Sequence, residues 1–404
     1  MIEINPNYFD LPENYFFSEI EKKVASSFRK DLINLGIGDA VRPLFSEVVF
    51  KLRKCAFLMS NRKTFKGYPP VNGYDFFKEA VAEKYRKIGV RLNIDDVFVS
   101  DGAKTDIFSL LHVFGKTDAL IHNPCYPAYL DANVAFGNNV EFIPSNKANS
   151  FLPMPDEIPE TLKNKQALIY LCSPDNPTGA VYDLASLSSW VKYANESGSV
   201  ILFDGAYSDY IRGDYPKSIF QIENADNCAI EISSLSKSAN FTGVRVGWTI
   251  IGKNLKIGGV KLNKVFSRMK ASMTNGVSFI GQYIGAAALS KTGLKKCRRN
   301  TDYYLGNAKS LKMFLCEKGI YAVGGDDSPY VFFQCPKGFT SRGYSDFLLS
   351  EAGIVTAPGS GFNTGGEGYI RLSGFCTREE AKIAAERLNK VIGTDYVNIK
   401  QIIR

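Results

Sequence analysis

The stretch CAIEISSLSK, residues 228–237, runs from an apolar segment into a serine-rich loop that ends on a lysine. Residues 228–232 predict a buried strand, and in a parallel sheet the strand ends face the ligand crevice. A lysine held there loses part of its hydration, which lowers its pKa and makes its amine a nucleophile able to form a Schiff base. The alternative for Lys237 is an ordinary solvated lysine in a polar loop.

Similar short apolar runs occur on both sides of this stretch. Turn residues bound them, and segments with helical periodicity, such as 184–195, separate most of them. Continuous apolar strands that alternate with helices indicate a mostly parallel sheet covered on both faces, and therefore an α/β fold. The predicted strands are 96–100, 119–122, 167–172, 200–203 and 228–232.

The C-terminal part of the chain has a different pattern. A long helical pattern over 281–318 precedes two short strand-like runs and a final amphipathic helix. Thr377 and Glu380 form a predicted capping box before that last helix. We therefore predict an N-terminal arm that belongs partly to the small domain (1–45), a large cofactor-binding domain with a mostly parallel mixed sheet (46–280) and a smaller α+β domain (281–404).

Composition narrows the class of protein. The 404 residues carry a net charge of +8, from 49 basic and 41 acidic side chains, without the long blocks of like charge typical of nucleic-acid-binding arms. Eight cysteines are scattered without a C-x-x-C pair, which argues against a disulfide framework or a zinc knuckle. The N-terminus lacks the pattern of a secretory signal, and no apolar run reaches the length of a membrane span. We therefore expect a cytoplasmic protein, and the two histidines, ten residues apart, predict no metal site.

The segment FDGAY, residues 203–207, ends another predicted strand with an acid. A buried aspartate there can keep a ring nitrogen protonated, as pyridoxal phosphate requires of its partner. Tyr207, three residues further on, could bond a ring hydroxyl. The alternative is that Asp204 caps a helix.

Two more strand ends carry polar turns. In SPDNPTG, residues 173–179, Asn176 is placed to donate to a ring oxygen. The alternative is that this sequence forms an ordinary turn. In SDGAK, residues 100–104, a glycine opens a helix whose backbone amides near Ala103 and Lys104 can bind an anion. Glycines often precede helices, so this second signal is weak alone.

Three further features suit a flat, charged ligand. The hydroxyls of Ser234 and Ser236 and the cation of Arg245 are suited to a phosphate. Tyr126, between two prolines, can stack on a planar ring or belong to the core. Arg371, in a strand of the smaller domain, needs a carboxylate partner, which is either a substrate or an acid of the protein.

Taken together and in this order, these segments resemble the fold-type I pyridoxal-phosphate enzymes of the aspartate aminotransferase superfamily. Within that superfamily they are most similar to the LL-diaminopimelate aminotransferases. The resemblance extends from the N-terminus to about residue 380. It is carried by LGIGD (35–39), VFVSDGAK (97–104), YPAYLD (126–131), CSPDNPTG (172–179), ILFDGAY (201–207), SLSK with FTGVRVGW (234–248), NGVS (275–278), PGSGF (358–362) and GEGYIRLS (366–373).

The resemblance implies a role for each matching residue. Lys237 would hold pyridoxal 5'-phosphate and move the substrate proton, Asp204 would pair with the ring nitrogen, and Tyr126 would stack on the ring. The other cofactor contacts would be Ala103, Lys104, Asn176, Tyr207, Ser234, Ser236 and Arg245, with Tyr68 supplied by a partner subunit. Arg371 would bind the substrate α-carboxylate. The rest of the substrate pocket would be lined by Tyr15, Gly38, Lys104, Asn176 and Asn275. A homodimer is therefore expected.

The chain departs from the family pattern at the substrate end. The family's GYGPEQG loop is GYPPVNG here, so its acid, which meets the distal amino group of diaminopimelate, is replaced by Val71. Another family acid is replaced by Arg42, and Thr274 stands in the changed segment before Asn275. Either the substrate differs, or Val71 points away and an acid such as Asp75 compensates. Arg42 would suit a second carboxylate if it faces the pocket, or could pair with a surface acid.

The first functional prediction is an aminotransferase of the LL-diaminopimelate type that acts on an amino acid with a polar distal end and uses 2-oxoglutarate. The alternative within the same lineage is an eliminase or cyclase, for example one acting on a hydroxylated arginine. A non-catalytic cofactor binder has no need of Lys237 together with Arg371. Dinucleotide binding is weaker, because LGIGD lacks the third glycine of the G-x-G-x-x-G motif.

Overall fold

The computed structural model describes residues 2–163 and 165–392, so residues 393–404 of the predicted C-terminal domain lie outside the described residues. Within these ranges the chain forms eleven α-helices and fifteen β-strands. The helices are α1 Phe16–Ser26, α2 Ser46–Ser60, α3 Asp75–Arg86, α4 Ala103–Leu111, α5 Pro127–Ala135, α6 Leu184–Ser197, α7 Leu262–Met273, α8 Phe279–Leu289, α9 Lys291–Glu317, α10 Ser341–Phe347 and α11 Arg378–Ile392. The strands are β1 Ile33–Asn34, β2 Val97–Ser100, β3 Asp118–Asn123, β4 Asn139–Pro144, β5 Ala167–Cys172, β6 Val200–Asp204, β7 Ala229–Ser234, β8 Gly247–Ile251, β9 Lys256–Ile257, β10 Val260–Lys261, β11 Ala322–Gly324, β12 Tyr330–Gln334, β13 Ile354–Val355, β14 Ala357–Pro358 and β15 Tyr369–Ser373.

A seven-stranded sheet forms the centre of the large domain, with strand order β2-β8-β7-β6-β5-β3-β4. Five neighbouring strands run parallel, and β8 is antiparallel to both β2 and β7. Successive residues point to opposite faces, so Ile201 packs in one core and Leu202 in the other. The predicted α/β class, with a mostly parallel mixed sheet, is confirmed. Strands β4 and β8 are additional to the five predicted strands, and β8 supplies the antiparallel pairings of the sheet.

The second sheet is smaller and antiparallel, with strand order β11-β12-β15-β14. Its core includes residues of α9 and α11, among them Leu311, Ala384 and Leu388. The predicted capping box before α11 is present, because Glu380 N–H donates to Thr377 Oγ1 (3.1 Å) and Thr377 N–H donates to the Glu380 carboxylate (2.7 Å). The smaller α+β domain of the prediction therefore forms.

The long helical pattern over 281–318 is divided in the structure. Helix α8 ends at Leu289, and α9 begins two residues later at Lys291. Ser290 between them has an extended backbone, and its side chain accepts a hydrogen bond from Gly293 N–H at 3.1 Å. A serine at this position caps a new helix instead of continuing the old one.

The N-terminal segment crosses to the C-terminal part of the chain. Strand β1 pairs in parallel with β13, where Ile33 lies opposite Ile354. Leu35 continues this pairing, because its N–H donates to the Val355 carbonyl and its carbonyl accepts from Ser373 N–H. The predicted boundaries at residues 45 and 280 stay predictions. None of the helices described here has the length and apolarity needed to cross a membrane.

Candidate active site

A cavity of about 390 Å³ opens at the carboxyl edge of the large sheet, where residues from both domains meet. Most of the side chains singled out from the sequence line it: Gly38, Ala103, Lys104, Tyr126, Asn176, Asp204, Tyr207, Ser234, Ser236, Lys237, Arg245 and Arg371. Strands β5, β6 and β7 are neighbours, and the residues that follow their ends converge here. This is the place where α/β sheets bind ligands.

Lys237 lies in the loop that follows β7, and its ammonium group donates a hydrogen bond to the carbonyl of Gly38. Burial lowers the pKa of the Lys237 amine to about 8. The nearby cations Arg371 and Arg245 act in the same direction, whereas Asp39 and Asp204 oppose it. A neutral amine is therefore accessible near physiological pH, as a nucleophile or a general base requires.

Asp204 ends β6 and is buried, with 6% of its surface exposed. One carboxylate oxygen accepts from Ala206 N–H (2.9 Å) and the other from the Tyr129 hydroxyl (2.8 Å). Burial raises the pKa of Asp204, while these two hydrogen bonds act to lower it. The carboxylate is held in a fixed position and can accept from a protonated ring nitrogen.

Helix α4 begins at Ala103 and presents its first backbone amides to the cavity. Gly102 has φ +142°, and a Cβ at this position would overlap the guanidinium of Arg245. Glycine therefore lets Arg245 approach the helix N-terminus. Ser234, the last residue of β7, and Ser236 line the same cavity. Amides, hydroxyls and a guanidinium of this kind form a site for a phosphate.

Arg371 lies on β15 and is 1% exposed. Its guanidinium donates to Asn176 Oδ1 (2.7 Å) and to the Gly36 carbonyl (2.6 Å), and it stacks on the ring of Tyr330 at 4.2 Å. Within the described residues no carboxylate pairs with it, and its Nε has no hydrogen-bond partner. A buried cation without an anion is costly, so a ligand carboxylate is the expected partner.

The tyrosines of the cavity are linked to one another. The Tyr207 and Tyr330 hydroxyls are 2.7 Å apart, and burial raises the pKa of Tyr207 well above its ordinary value. The Tyr15 and Tyr126 hydroxyls are 3.5 Å apart, and the ammonium of Lys104 lies 3.7 Å from the centre of the Tyr15 ring. Tyr15 itself borders a second cavity next to the first.

Tyr68 and Asn275 do not line the cavity of their own chain. Tyr68 is 86% exposed, and Asn275 is also exposed. The two segments touch, because a Cβ at Gly276 would lie 2.8 Å from the Pro70 carbonyl oxygen. The two residues that the resemblance implies for the far side of the pocket thus share one exposed surface.

The residues that depart from the family pattern lie outside the cavity lining, at different places in the fold. The Arg42 guanidinium donates to Asn300 Oδ1 (2.7 Å) and stacks on Tyr303 at 4.7 Å, so it contacts α9. Asp75 forms an ion pair with Lys78 at 2.9 Å on its own helix. Val71 is half-buried, and neither it nor Arg42 is among the side chains that line the cavity.

The sequence reasoning missed several cavity residues. Tyr126 is the N-cap residue of α5 and Tyr129 lies in the first turn of that helix, with the two ring centres 5.6 Å apart, so the short spacing between them was the available signal. Tyr330 and Phe17 come from other parts of the chain and had no signal of their own. The full set of additional lining residues is Phe17, Ile37, Asp39, Ile107, Tyr129, Ala206, Thr242 and Tyr330.

The residues present fit pyridoxal phosphate. The cavity offers an amine of lowered pKa for its aldehyde and a buried carboxylate for its ring nitrogen. It also offers an anion site at the start of α4. The guanidinium of Arg371, whose Nε has no hydrogen-bond partner, remains for a substrate. Among the described residues, no group of three or more potential metal ligands lies close together.

We expect Gly38→Ala to destabilise the protein by about 1–3 kcal/mol, as overpacking does. A Cβ at Gly38 would overlap the Tyr330 hydroxyl oxygen and lie 3.4 Å from Lys237 Nζ. Urea unfolding measures the change. Adding Tyr330→Phe should recover part of the loss, because the nearest ring carbon is 3.3 Å away. Gly115→Ala is the control, since no described atom lies within 4 Å of its Cβ; an equal loss there would contradict the steric account.

The cavity combines a lysine and an aspartate from the carboxyl edge of the large sheet with a buried arginine from the smaller sheet, an arrangement suited to an enzyme of the aminotransferase type. The family model for aminotransferases of class I and II matches residues 30–388. The chain belongs to this family, whose members are pyridoxal-phosphate-dependent enzymes.

Relatives with established names span nearly the whole chain. An LL-diaminopimelate aminotransferase of Agathobacter rectalis is 40% identical, with 96% of this chain and 99% of the relative aligned. The enzyme of that name from Lawsonia intracellularis is 38% identical, over 97% and 100% of the two chains. The solved L,L-diaminopimelate aminotransferase of Chlamydomonas reinhardtii has a TM-score of 0.90 and 34% identity, over 97% and 99%. An aspartate aminotransferase of Thermus thermophilus shares the fold at 21% identity and TM-score 0.86.

Proposed function

We propose that this protein transfers the α-amino group of an amino acid with a polar distal end to 2-oxoglutarate, with LL-diaminopimelate as the first candidate donor. The observation that supports it most is a single cavity that is lined by Lys237, Asp204 and Arg371, the last with an Nε that has no hydrogen-bond partner. The names of relatives at 38–40% identity support the substrate class.

We propose pyridoxal 5'-phosphate as the cofactor. Asp204 would bind its ring nitrogen, Asn176 and Tyr207 its ring oxygen, and Tyr126 its face. The phosphate would lie between the N-terminus of α4, Ser234, Ser236 and Arg245. When bound, the cofactor supplies an electron sink for the bond broken at the substrate α-carbon.

The side chains of the cavity would have separate roles in substrate binding and proton transfer. Arg371 binds the α-carboxylate and, with Asn176 on its guanidinium, fixes the orientation of the α-carbon. Lys237, with its lowered pKa, is neutral often enough to remove the α-proton and to return it. Tyr330 and Phe17 add aromatic surface to the cavity lining.

We also propose a homodimer in the cytoplasm. Tyr68 and Asn275 share one exposed surface, as residues that complete a partner's cavity would. A two-fold symmetric contact would place each pair opposite the other subunit's site. All eight cysteines, which lie in the described part of the chain, are free thiols, as is usual in a reducing compartment.

Assay of the purified protein with pyridoxal phosphate tests the proposal. With LL-diaminopimelate and 2-oxoglutarate, we expect steady formation of glutamate. Lysine, ornithine, arginine and hydroxyarginine are then tested as alternative substrates. The mass of each product shows which distal group the enzyme accepts. Turnover of a hydroxylated arginine without any keto acid would support elimination or cyclisation and contradict transamination.

The pKa of Lys237 gives a pH dependence. Below about 8 the amine is mostly protonated and cannot attack the cofactor aldehyde. The rate at which the apoprotein takes up pyridoxal phosphate should therefore rise with pH and level off above about 8. An ordinary lysine would give a rate that keeps rising toward about 10.4. Stopped-flow absorbance measures the rate, and a plateau only near that higher pH would contradict the lowered pKa.

A further inference from the structure

A buried histidine–aspartate pair lies behind the proposed cofactor site. His122 Nε2 is 2.8 Å from Asp175 Oδ1, and the two side chains are 5% and 4% exposed. His122 is near the end of β3, Asp175 follows β5, and Asp204 ends β6. These three strands are neighbours in the sheet, so the three side chains lie at one edge.

The surroundings of His122 favour its protonated form. Its Nδ1 lies 3.4 Å from the Tyr170 carbonyl, a group that only accepts, and Asp175 and Asp204 are the carboxylates that face it. The Tyr129 ring packs edge-on at 6.1 Å. Burial by itself lowers the pKa of His122, but Asp175 and the Tyr170 carbonyl outweigh burial and the pKa is raised.

The side chain of Asp175 is fixed by the turn that it begins. Its Oδ2 accepts from Thr178 N–H (3.1 Å) and from the Thr178 hydroxyl (2.6 Å). Asp175 also raises the pKa of Asp204, whereas His122 lowers it. Two buried carboxylates therefore share this region with one imidazole, and the imidazole decides whether both can be ionised.

We propose that His122 is a positioning residue, whose imidazolium charge neutralises Asp175 so that Asp204 keeps the negative charge that holds the cofactor ring nitrogen protonated. This inference rests on the proposed function. With a neutral His122, the region would carry two negative charges, and one carboxylate would take up a proton. A protonated Asp204 could no longer form an ion pair with the protonated ring nitrogen.

The charge of His122 can be measured without the cofactor. The chain has two histidines, and His112→Gln leaves one imidazole signal for nitrogen-15 NMR. In the apoprotein we expect His122 to stay protonated at neutral pH, and Asp175→Asn to make it lose the proton there. Asparagine keeps an acceptor for Thr178. A neutral imidazole in the unaltered pair at neutral pH would overturn the proposal.

A double-variant cycle then tests the link to the cofactor. His122→Gln should weaken binding of pyridoxal phosphate by about tenfold or more, the effect of one pKa unit on Asp204. Asp175→Asn alone, and the double variant, should bind nearly as well as the unaltered protein, because each leaves one unbalanced charge at most.

A merely structural pair predicts the opposite. Both single variants would weaken the turn, and the double variant would bind at least as weakly as His122→Gln, a result that would overturn the charge account. If the unaltered protein binds no pyridoxal phosphate, the proposed function fails, and the imidazole spectrum still decides the charge of His122.

Discussion

Lys237→Ala should lower kcat/KM for amino-group transfer by about 10²–10⁴-fold or more, the contribution of a positioned proton-transfer group. Lys237 is half-buried and lines the cavity, and an alanine leaves no amine at this position to take the α-proton. Lys237→Arg should be as inactive, because a guanidinium stays protonated at the assay pH. Glutamate formation from 2-oxoglutarate measures the loss.

The matched control is an exposed lysine outside the cavity. Lys256→Ala changes an exposed residue of β9 and should retain full activity. Borohydride treatment should attach pyridoxal phosphate to the unaltered protein at a peptide that contains residue 237, and not to Lys237→Ala. An active alanine variant, or cofactor attached elsewhere, would remove the basis for the assigned role.

Arg371→Leu should lower kcat/KM by about 30- to 4,000-fold, equivalent to about 2–5 kcal/mol for the loss of a buried charge partner. Both the amino donor and 2-oxoglutarate carry a carboxylate next to the reacting carbon. The loss should therefore affect both half-reactions and appear mainly as a higher KM.

Arg42→Leu is the matched control for this variant. Arg42 contacts Asn300 and Tyr303 on α9, so its loss should reduce the free energy of unfolding without a comparable change in kcat/KM. If Arg42→Leu instead abolished binding of a dicarboxylate substrate while Arg371→Leu did not, the positions of the two arginines relative to the substrate would be reversed.

Much of the site could be predicted because of sheet geometry. The ends of parallel strands meet at one edge, so Asp204 at the end of β6 and Lys237 after β7 had to lie close together once both strands were recognised. The same reasoning reached Asn176 in the turn after β5. These predictions needed only strand positions and the chemistry of single residues.

The remaining site residues depend on tertiary contacts that local patterns do not contain. Tyr330 and Phe17 reach the cavity from β12 and α1, whose positions are set by packing between distant segments. The direction of Arg42 is decided by the ring of Tyr303, a residue far away in the sequence. His122 lies in the predicted strand 119–122, and spacing in the sequence does not reveal its partner Asp175.

The pairing of β1 with β13 has a consequence for how the enzyme matures during synthesis. Ile33 leaves the ribosome early but cannot pair until Ile354 has been made, whereas the central sheet contains all of its strands between residues 97 and 251. Nascent chains should thus acquire the large domain first. The carbonyl of Gly36, which receives a hydrogen bond from Arg371, comes into place only when the two ends of the chain join. Catalytic competence is therefore among the last properties to be gained, and a chain truncated before residue 354 would be folded in its centre but inert.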